Sequence, residues 1–189
     1  MELFGRKVRL DTLFSKCIDL TRMFFKSFTF NEVASLWTSY IKLTNPKSNK
    51  FTTRDGYQIL LSNNLHDGIT VMVIFCRLEY GKVDPGSIVI DIGANIGVFS
   101  LYAARCGAKK VYAFEPNKKS YEILLNNIKV NNLEKIIIPF NLAVGSSDGE
   151  IISIPKNSSP YNATVYGKLD EAHYDFVETI CLPSFIIQN

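Results

Sequence analysis

Two acidic residues and one short turn are the parts of this chain whose types and spacing suit binding chemistry. Asp91 lies near the end of the apolar run Ile88–Ile92, the turn runs from Gly93 to Gly97, and Glu115 follows Gly93 by 22 residues. In a β-α-β unit, an acid at the end of the second strand accepts hydrogen bonds from ribose hydroxyls. The spacing therefore predicts a site for a ligand that contains a nucleoside.

The side chain in the middle of the turn argues against a phosphate at this point. A dinucleotide-binding turn needs a second glycine so that pyrophosphate can approach the backbone, and this chain has Asn95 there. The negative charge of Asp91 also repels phosphate and attracts an ammonium group. Adenosine with an ammonium group and no phosphate describes S-adenosylmethionine, and a nicotinamide-dependent oxidoreductase stays as a weaker alternative.

The elements that would hold these residues alternate from residue 88 onward. Continuous apolar runs predict buried parallel strands, and apolar stripes at helical spacing predict helices between them. The order is strand Ile88–Ile92, helix 96–105, strand Lys110–Phe114, helix 119–130 and strand 136–144. Right-handed crossovers then give a Rossmann-like α/β sheet in the order third, second, first, with helices on both faces and Pro139 on the edge strand.

The flanking regions carry weaker patterns. Two apolar stripes predict helices within residues 12–43, which gives an N-terminal helical segment, 1–46, before a Rossmann-like domain, 47–189. A short strand is predicted at 57–61, a hairpin strand at 151–154 and a returning strand at 177–182. Residues 69–80 fit a helical face and a strand equally well, so both readings stay open.

Composition favours a folded cytoplasmic protein. Hydrophobic residues make up 47% of the 189 residues, and the four cysteines are spaced for neither a zinc site nor a disulfide framework, so no metal site is predicted. No apolar run reaches the length of a transmembrane helix. The first 50 residues carry nine Lys/Arg and four Asp/Glu. This basic excess could contact an anionic glycolipid, a membrane surface or a nucleic acid, but a solvated helix face is the more common explanation.

The stretch "VIDIGANIGVFSLYAARCGAKKVYAFEPNKKSYEILLNNIKVNN", followed by "NLAVGSSDGEI", resembles the FkbM family of S-adenosylmethionine-dependent methyltransferases. The resemblance covers about residues 51–182. It implies methylation of a hydroxyl on a sugar, glycan or related acceptor. It also implies that Glu115 binds the ribose, and we include the adjacent Pro116 in the site. The other implied cofactor-binding residues are Asp91, Gly93, Ala94, Asn95 and Gly97 at the methionine and amino portions, and Ala143 and Val144 beside the adenine.

Members of that family continue with a fourth strand that carries an acidic cluster, and this chain has no such pattern. The resemblance thus implies a domain truncated at its C-terminus and an open edge on the first strand. The segment 1–45, a partner chain or a second copy could cover that edge. His66 and His173 fall in predicted loops, so no catalytic residue is predicted. An inactive remnant, or a cofactor-binding half-module that needs a partner chain, is the alternative function. A small-molecule or glycan acceptor is expected, and no nucleic acid.

Overall fold

The computed structural model describes residues 2–3, 6–7, 27–32, 34–35, 38, 45, 48–62, 65–76, 80–155 and 174–188. The chain divides into two compact units, Met1–Gly81 and Lys82–Asn189. The observed division lies at residue 81, and the predicted boundary at 46 stays a prediction. Within the described ranges, each helix is too short or too polar to cross a membrane.

Among its described residues, the first unit contains two antiparallel strand pairs. β1 (Glu2–Leu3) pairs with β2 (Arg6–Lys7), and β3 (Lys50–Thr52) pairs with β4 (Gln58–Leu60). The strand predicted at 57–61 is thereby confirmed. Phe28 and Phe51 are fully buried here and meet edge to face, with ring centroids 6.4 Å apart.

Helical structure accounts for most of the remaining described residues of the first unit. α1 (Leu65–Val71) continues into a π-helical turn, Met72–Cys76, so the ambiguous stretch 69–80 is helical as far as residue 76. Of the helical segment predicted at 12–43, residues 12–26 lie outside the described residues, and residues 30–32, 34–35 and 38 are helical.

Three parallel strands form the centre of the second unit. They are β5 (Ile88–Ile92), β6 (Lys110–Phe114) and β7 (Ile137–Phe140), in the order β5-β6-β7. α2 (Val98–Arg105) joins the first two, and α3 (Lys118–Val130) joins the second and third. This is the predicted strand order, and it confirms the Rossmann-like α/β class.

A second sheet follows directly. β8 (Ala143–Gly145), β9 (Ile151–Pro155) and β10 (Tyr174–Cys181) lie in the order β8-β10-β9, with β10 parallel to β8 and antiparallel to β9. The strands predicted at 151–154 and 177–182 are confirmed. The single strand predicted at 136–144 is wrong, because residues 141 and 142 separate β7 from β8.

Helices contact both faces of the central sheet. α4 (Leu182–Gln188) places Phe185 against an aromatic patch on one face, with ring centroids 5.1 Å from Tyr112, 5.1 Å from Phe114 and 5.4 Å from Phe140. Side chains alternate along a strand, so the fully buried Val111 and Ala113 point to the opposite face. There α2 contacts all three strands and α3 contacts β7.

β5 lies at one edge of this sheet. Among the described residues its strand partner is β6 alone, and Ile88 and Ile92 are 63% and 56% exposed. β7 is the other edge strand, which is where Pro139 was predicted to lie, since proline cannot donate a hydrogen bond to a further strand.

Candidate functional site

Asp91 is a buried carboxylate near the carboxyl end of β5. It is 7% exposed, and its Oδ2 accepts a hydrogen bond of 2.6 Å from the Ser100 hydroxyl on α2. Burial raises the pKa of Asp91 to about 6, while hydrogen bonds from the Ser100 side chain and backbone oppose that rise. A carboxylate so poorly hydrated gains strongly from a cation placed beside it.

The turn after β5 is fixed to the end of β6 through its own backbone. The N–H groups of Gly93 and Ala94 donate to the carbonyl oxygen of Phe114 at 2.9 and 3.0 Å, and the Asn95 N–H donates to Oε2 of Glu115 at 2.7 Å. Three consecutive donors of the turn therefore already have acceptors within the protein.

Positive φ angles shape the turn and leave space at one end. Gly93, Asn95 and Gly97 have φ of 72°, 52° and 88°. A Cβ built on Gly93 would meet nothing within 4 Å, whereas one on Gly97 would lie 2.4 Å from Cδ1 of Leu124. Gly93 therefore borders room for a ligand, and Gly97 is a packing glycine that lets α3 approach the turn.

Glu115 links the ends of the two strands. It is 5% exposed, its Oε1 accepts from the Asn117 N–H at 2.7 Å, and its Oε2 accepts from the Asn95 N–H. Burial raises the pKa of Glu115, the two backbone hydrogen bonds lower it, and the nearby charge of Asp91 raises it further. Asp91 and Glu115 are thus close enough for the charge of Asp91 to affect the pKa of Glu115, as their spacing in the sequence predicts.

Two asparagines that the sequence did not reveal as site residues donate hydrogen bonds to backbone carbonyls around the site. Nδ2 of Asn141 donates to the carbonyl oxygens of Glu115 and Pro116 at 2.9 and 3.1 Å. Nδ2 of Asn127, which is fully buried, donates to the carbonyl oxygen of Ile96 at 2.8 Å. The signal that could have found Asn127 is an amide side chain on the buried side of an amphipathic helix, where it needs a partner.

The remaining predicted residues lie further along the chain. Ala143 is 6% exposed and packs with Ile154 and Val177 in the core of the second sheet. Val144 is half-buried and pairs with Ile180. The position of both residues beside an adenine stays a prediction.

A cleft of about 290 Å³ opens where α4 meets β10. Its lining includes Leu142, which follows Asn141 directly, and the carboxylates Asp148 and Glu178. Neither Asp91 nor Glu115 lines it. The cleft is therefore a neighbour of the two-carboxylate site and not a part of it.

The residues present fit a cationic nucleoside. Oδ1 of Asn95 is buried without a hydrogen-bond partner, which is an acceptor that a ligand donor would satisfy. Gly93 leaves room beside it, and two buried carboxylates supply negative charge. These features suit the ammonium and ribose groups of S-adenosylmethionine.

Comparison with known proteins finds similarity to methyltransferases, both by a family model and by relatives in sequence. Residues 77–158 match a family model described as the TRM5/TYW2 methyltransferase domain. The ribosomal protein L11 methyltransferase of Dictyoglomus thermophilum is 28% identical over 161 residues, which are 78% of this chain and 53% of that protein. The tRNA (guanine(37)-N(1))-methyltransferase Trm5b of Methanocaldococcus jannaschii is 39% identical over 79 residues, 40% of this chain and 23% of that protein. The chain spans about half, or less, of the length of these curated relatives.

Solved structures overlap with the chain only in part. The complex of aTrm5 with tRNALeu is 28% identical and has a TM-score of 0.38, over 50% of this chain and 28% of that one. Methanocaldococcus jannaschii Trm5 in complex with adenosine is 23% identical with a TM-score of 0.35, over 52% of this chain and 40% of that one.

These comparisons correct one prediction and refine another. The exclusion of a nucleic-acid partner is wrong, because the relatives include tRNA (guanine(37)-N(1))-methyltransferases from Methanocaldococcus jannaschii and Candida albicans. The matching family model is TRM5/TYW2 and not FkbM. The region that it matches contains the β5 turn and Glu115, and the match supports the coarser prediction of a class I S-adenosylmethionine-dependent methyltransferase.

Proposed function

We propose that this chain binds S-adenosylmethionine through Asp91 and Glu115 and transfers its methyl group to an acceptor. The observation that carries the proposal is the pair of buried carboxylates joined by one turn. Glu115 accepts the Asn95 N–H of the same turn that follows Asp91. A shift of either strand end would therefore also move the carboxylate at the other strand end.

The hydrogen bonds of the turn favour this cofactor over a dinucleotide. Pyrophosphate is bound by backbone N–H groups at the start of the helix that follows such a turn. Here the donors of Gly93, Ala94 and Asn95 have protein acceptors, and two carboxylates adjoin the turn. A nicotinamide-dependent oxidoreductase would have to place its phosphates beside the negative charges of Asp91 and Glu115.

When bound, the cofactor supplies an electrophilic methyl group on a positively charged sulfur. Asp91 would attract the ammonium group, Glu115 would accept hydrogen bonds from the ribose hydroxyls, and Gly93 would leave room for the methionine portion. A carboxylate has about four acceptor positions. Glu115 therefore keeps capacity for two ribose hydroxyls beyond the two backbone N–H groups that it already accepts.

Two classes of acceptor have support. Methylation of a hydroxyl on a sugar, glycan or related molecule is the first candidate and follows from the FkbM-like motif residues. A nucleic acid is the second, because the matching family model and several relatives are named for tRNA methyltransferases. The loop predicted at His66 is wrong, because His66 lies exposed on α1 in the first unit, and His173 lies outside the described residues. We therefore name no base for a hydroxyl acceptor, and the cytoplasmic location stays a prediction.

The test is transfer of a labelled methyl group from S-adenosylmethionine. The full chain is incubated with a glycan extract in one arm and with total tRNA in the other. Label in one fraction, lost in Asp91→Asn and kept in Lys129→Gln, an exposed change on α3, would support the proposal and select the acceptor class. Cofactor binding without transfer to either fraction would favour the half-module that needs a partner chain.

A further inference from the structure

The Ser100 hydroxyl lies at the centre of the contact between α2 and β5. Ser100 is fully buried, and its Oγ donates to Oδ2 of Asp91 at 2.6 Å across nine residues of sequence. It is the third residue of α2, so its backbone N–H has no acceptor within the helix. The Ser100 backbone also adds to the effect of the side chain in lowering the pKa of Asp91. One residue therefore favours the ionised form of the acid through both its side chain and its backbone.

The Ser100 hydroxyl could donate a hydrogen bond to a nearby backbone carbonyl, but it donates to Asp91 instead. A serine inside a helix commonly donates to the carbonyl four residues earlier, which here belongs to Ile96. That carbonyl instead accepts from Asn127, and the serine bonds to the strand. Because the hydrogen bond is charge-assisted and buried, it restricts the rotation of the Asp91 carboxylate more than packing alone would.

We propose that Ser100 is a positioning residue for cofactor binding: its hydroxyl orients the Asp91 carboxylate so that the remaining acceptor positions receive the ammonium group of S-adenosylmethionine. The inference rests on the proposed function of Asp91. The Ser100 hydroxyl uses one of about four acceptor positions, and others stay available to the ligand. Ser100 itself makes no contact with the cofactor in this account.

The groups around Asp91 determine how loss of the hydroxyl would appear in a titration. Glu115 at the end of β6 is the acid whose pKa responds to the Asp91 charge. Lys110 lies on β6 three residues before Ala113, the residue that pairs with Asp91, and it donates to the carbonyl oxygen of Lys135. Tyr102 and Arg105 lie in the second half of α2.

The hydrogen bonds from Ser100 lower the pKa of Asp91 against the effect of burial. Without the hydroxyl, Asp91 would take up its proton at higher pH. Because the ammonium group needs an ionised partner, cofactor affinity would then weaken first on the acid side of the pH profile.

The experiment titrates S-adenosylhomocysteine into full-length wild type, Ser100→Ala, Ser100→Thr and Ser100→Cys between pH 5.5 and pH 8. Hydrogen bonds to charged groups predict a loss of about tenfold or more for Ser100→Ala near pH 6.5, with the acid limb moved to higher pH. Ser100→Thr keeps the hydroxyl and should stay within about threefold of wild type, and Ser100→Cys, a weaker donor of nearly equal size, should fall between them. Circular dichroism identifies any variant that does not fold. If Ser100→Ala or Ser100→Thr does not fold, Ser100→Cys is compared with wild type in its place.

A second readout needs no cofactor. The carboxyl carbon-13 shift of Asp91 should titrate at higher pH in Ser100→Ala than in wild type. Wild-type affinity and an unchanged acid limb in Ser100→Ala, or an unchanged Asp91 titration, would overturn the positioning role while leaving the proposed function standing. Failure of wild type itself to bind the probe would overturn the proposed function instead.

Discussion

Asp91 and Glu115 are similar acids held in different ways. Asp91 accepts a hydrogen bond from one residue of α2, whereas each oxygen of Glu115 accepts from a different backbone N–H group. Burial is the main reason that the pKa of each is raised. In the absence of a ligand, two buried negative charges near each other destabilise the fold, and a cation would relieve both.

Asp91→Asn should make the ligand-free protein more stable at neutral pH. The folded state raises the pKa of Asp91 from 3.8 to about 6, so stability from this group is complete below pH 3.8 and is lost as the pH rises through 6. A shift of this size corresponds to roughly 2–3 kcal/mol once the acid is ionised. Urea denaturation of both proteins at pH 5 and pH 8 measures it. The advantage of the variant should be larger at pH 8, and an equal difference at the two pH values would contradict the account.

Glu115→Gln should loosen the turn after β5. A carboxylate accepts the N–H groups of Asn95 and Asn117 with its two oxygens, but an amide has one acceptor and presents a donor to the other N–H. Hydrogen exchange should become faster at these amides, and affinity for S-adenosylmethionine should fall by about tenfold. Glu122→Gln, an exposed change on α3, is the control. Unchanged protection at Asn95 would rule out the link.

At the level of elements, the β5 turn must satisfy both packing and ligand space. Its two glycines divide these tasks, because Gly97 is pressed against Leu124 of α3 and Gly93 faces open space. The same substitution at Gly97 and at Gly93 therefore separates an effect on stability from an effect on ligand binding.

Gly97→Ala should destabilise the protein by about 2–4 kcal/mol, through strain at positive φ and the clash with Leu124. Gly93→Ala also has positive φ but meets no atom within 4 Å, so it should lose about 1–2 kcal/mol. Cofactor binding should nevertheless be weaker in Gly93→Ala, because the new methyl group enters the ligand space. Thermal unfolding and calorimetric titration of each variant check this, and equal destabilisation would contradict the division.

α4 should stabilise the sheet through a single side chain. Phe185 is 6% exposed and meets three aromatic rings, whereas Ile187 on the same helix is 85% exposed. Phe185→Ala should lower the free energy of unfolding by about 3–5 kcal/mol, and Ile187→Ala by less than about 0.5 kcal/mol. Chemical denaturation measures both. A loss for Phe185→Ala no greater than that for Ile187→Ala would show that α4 does not pack as described.

The elements that were predicted accurately are those with one dominant signal. β5 and β6 are short apolar runs between turn residues, and both predictions match their observed bounds. The break between β7 and β8 was missed because Asn141 leaves the strand to donate to carbonyls near Glu115, a contact that only the folded chain reveals. α4 was missed because Phe185 packs against three aromatic rings from other elements, and these contacts are not visible in the local sequence pattern.

At the scale of the whole molecule, cofactor chemistry could be predicted and acceptor chemistry could not. The carboxylates and their turn lie within 25 residues of sequence, so local spacing reports them. An acceptor is recognised by surfaces assembled from distant segments, and a net charge of +3 averages over all of them. The exclusion of nucleic acid failed for this reason, since composition alone says little about a binding surface.

The most direct test of the central claim is calorimetric titration of the full chain with S-adenosylmethionine and, separately, with NAD at pH 7.5. The two buried carboxylates predict saturable binding of S-adenosylmethionine, loss of that binding in Asp91→Asn, and no binding of NAD. Binding of NAD without S-adenosylmethionine, or binding of S-adenosylmethionine that Asp91→Asn leaves unchanged, would contradict it.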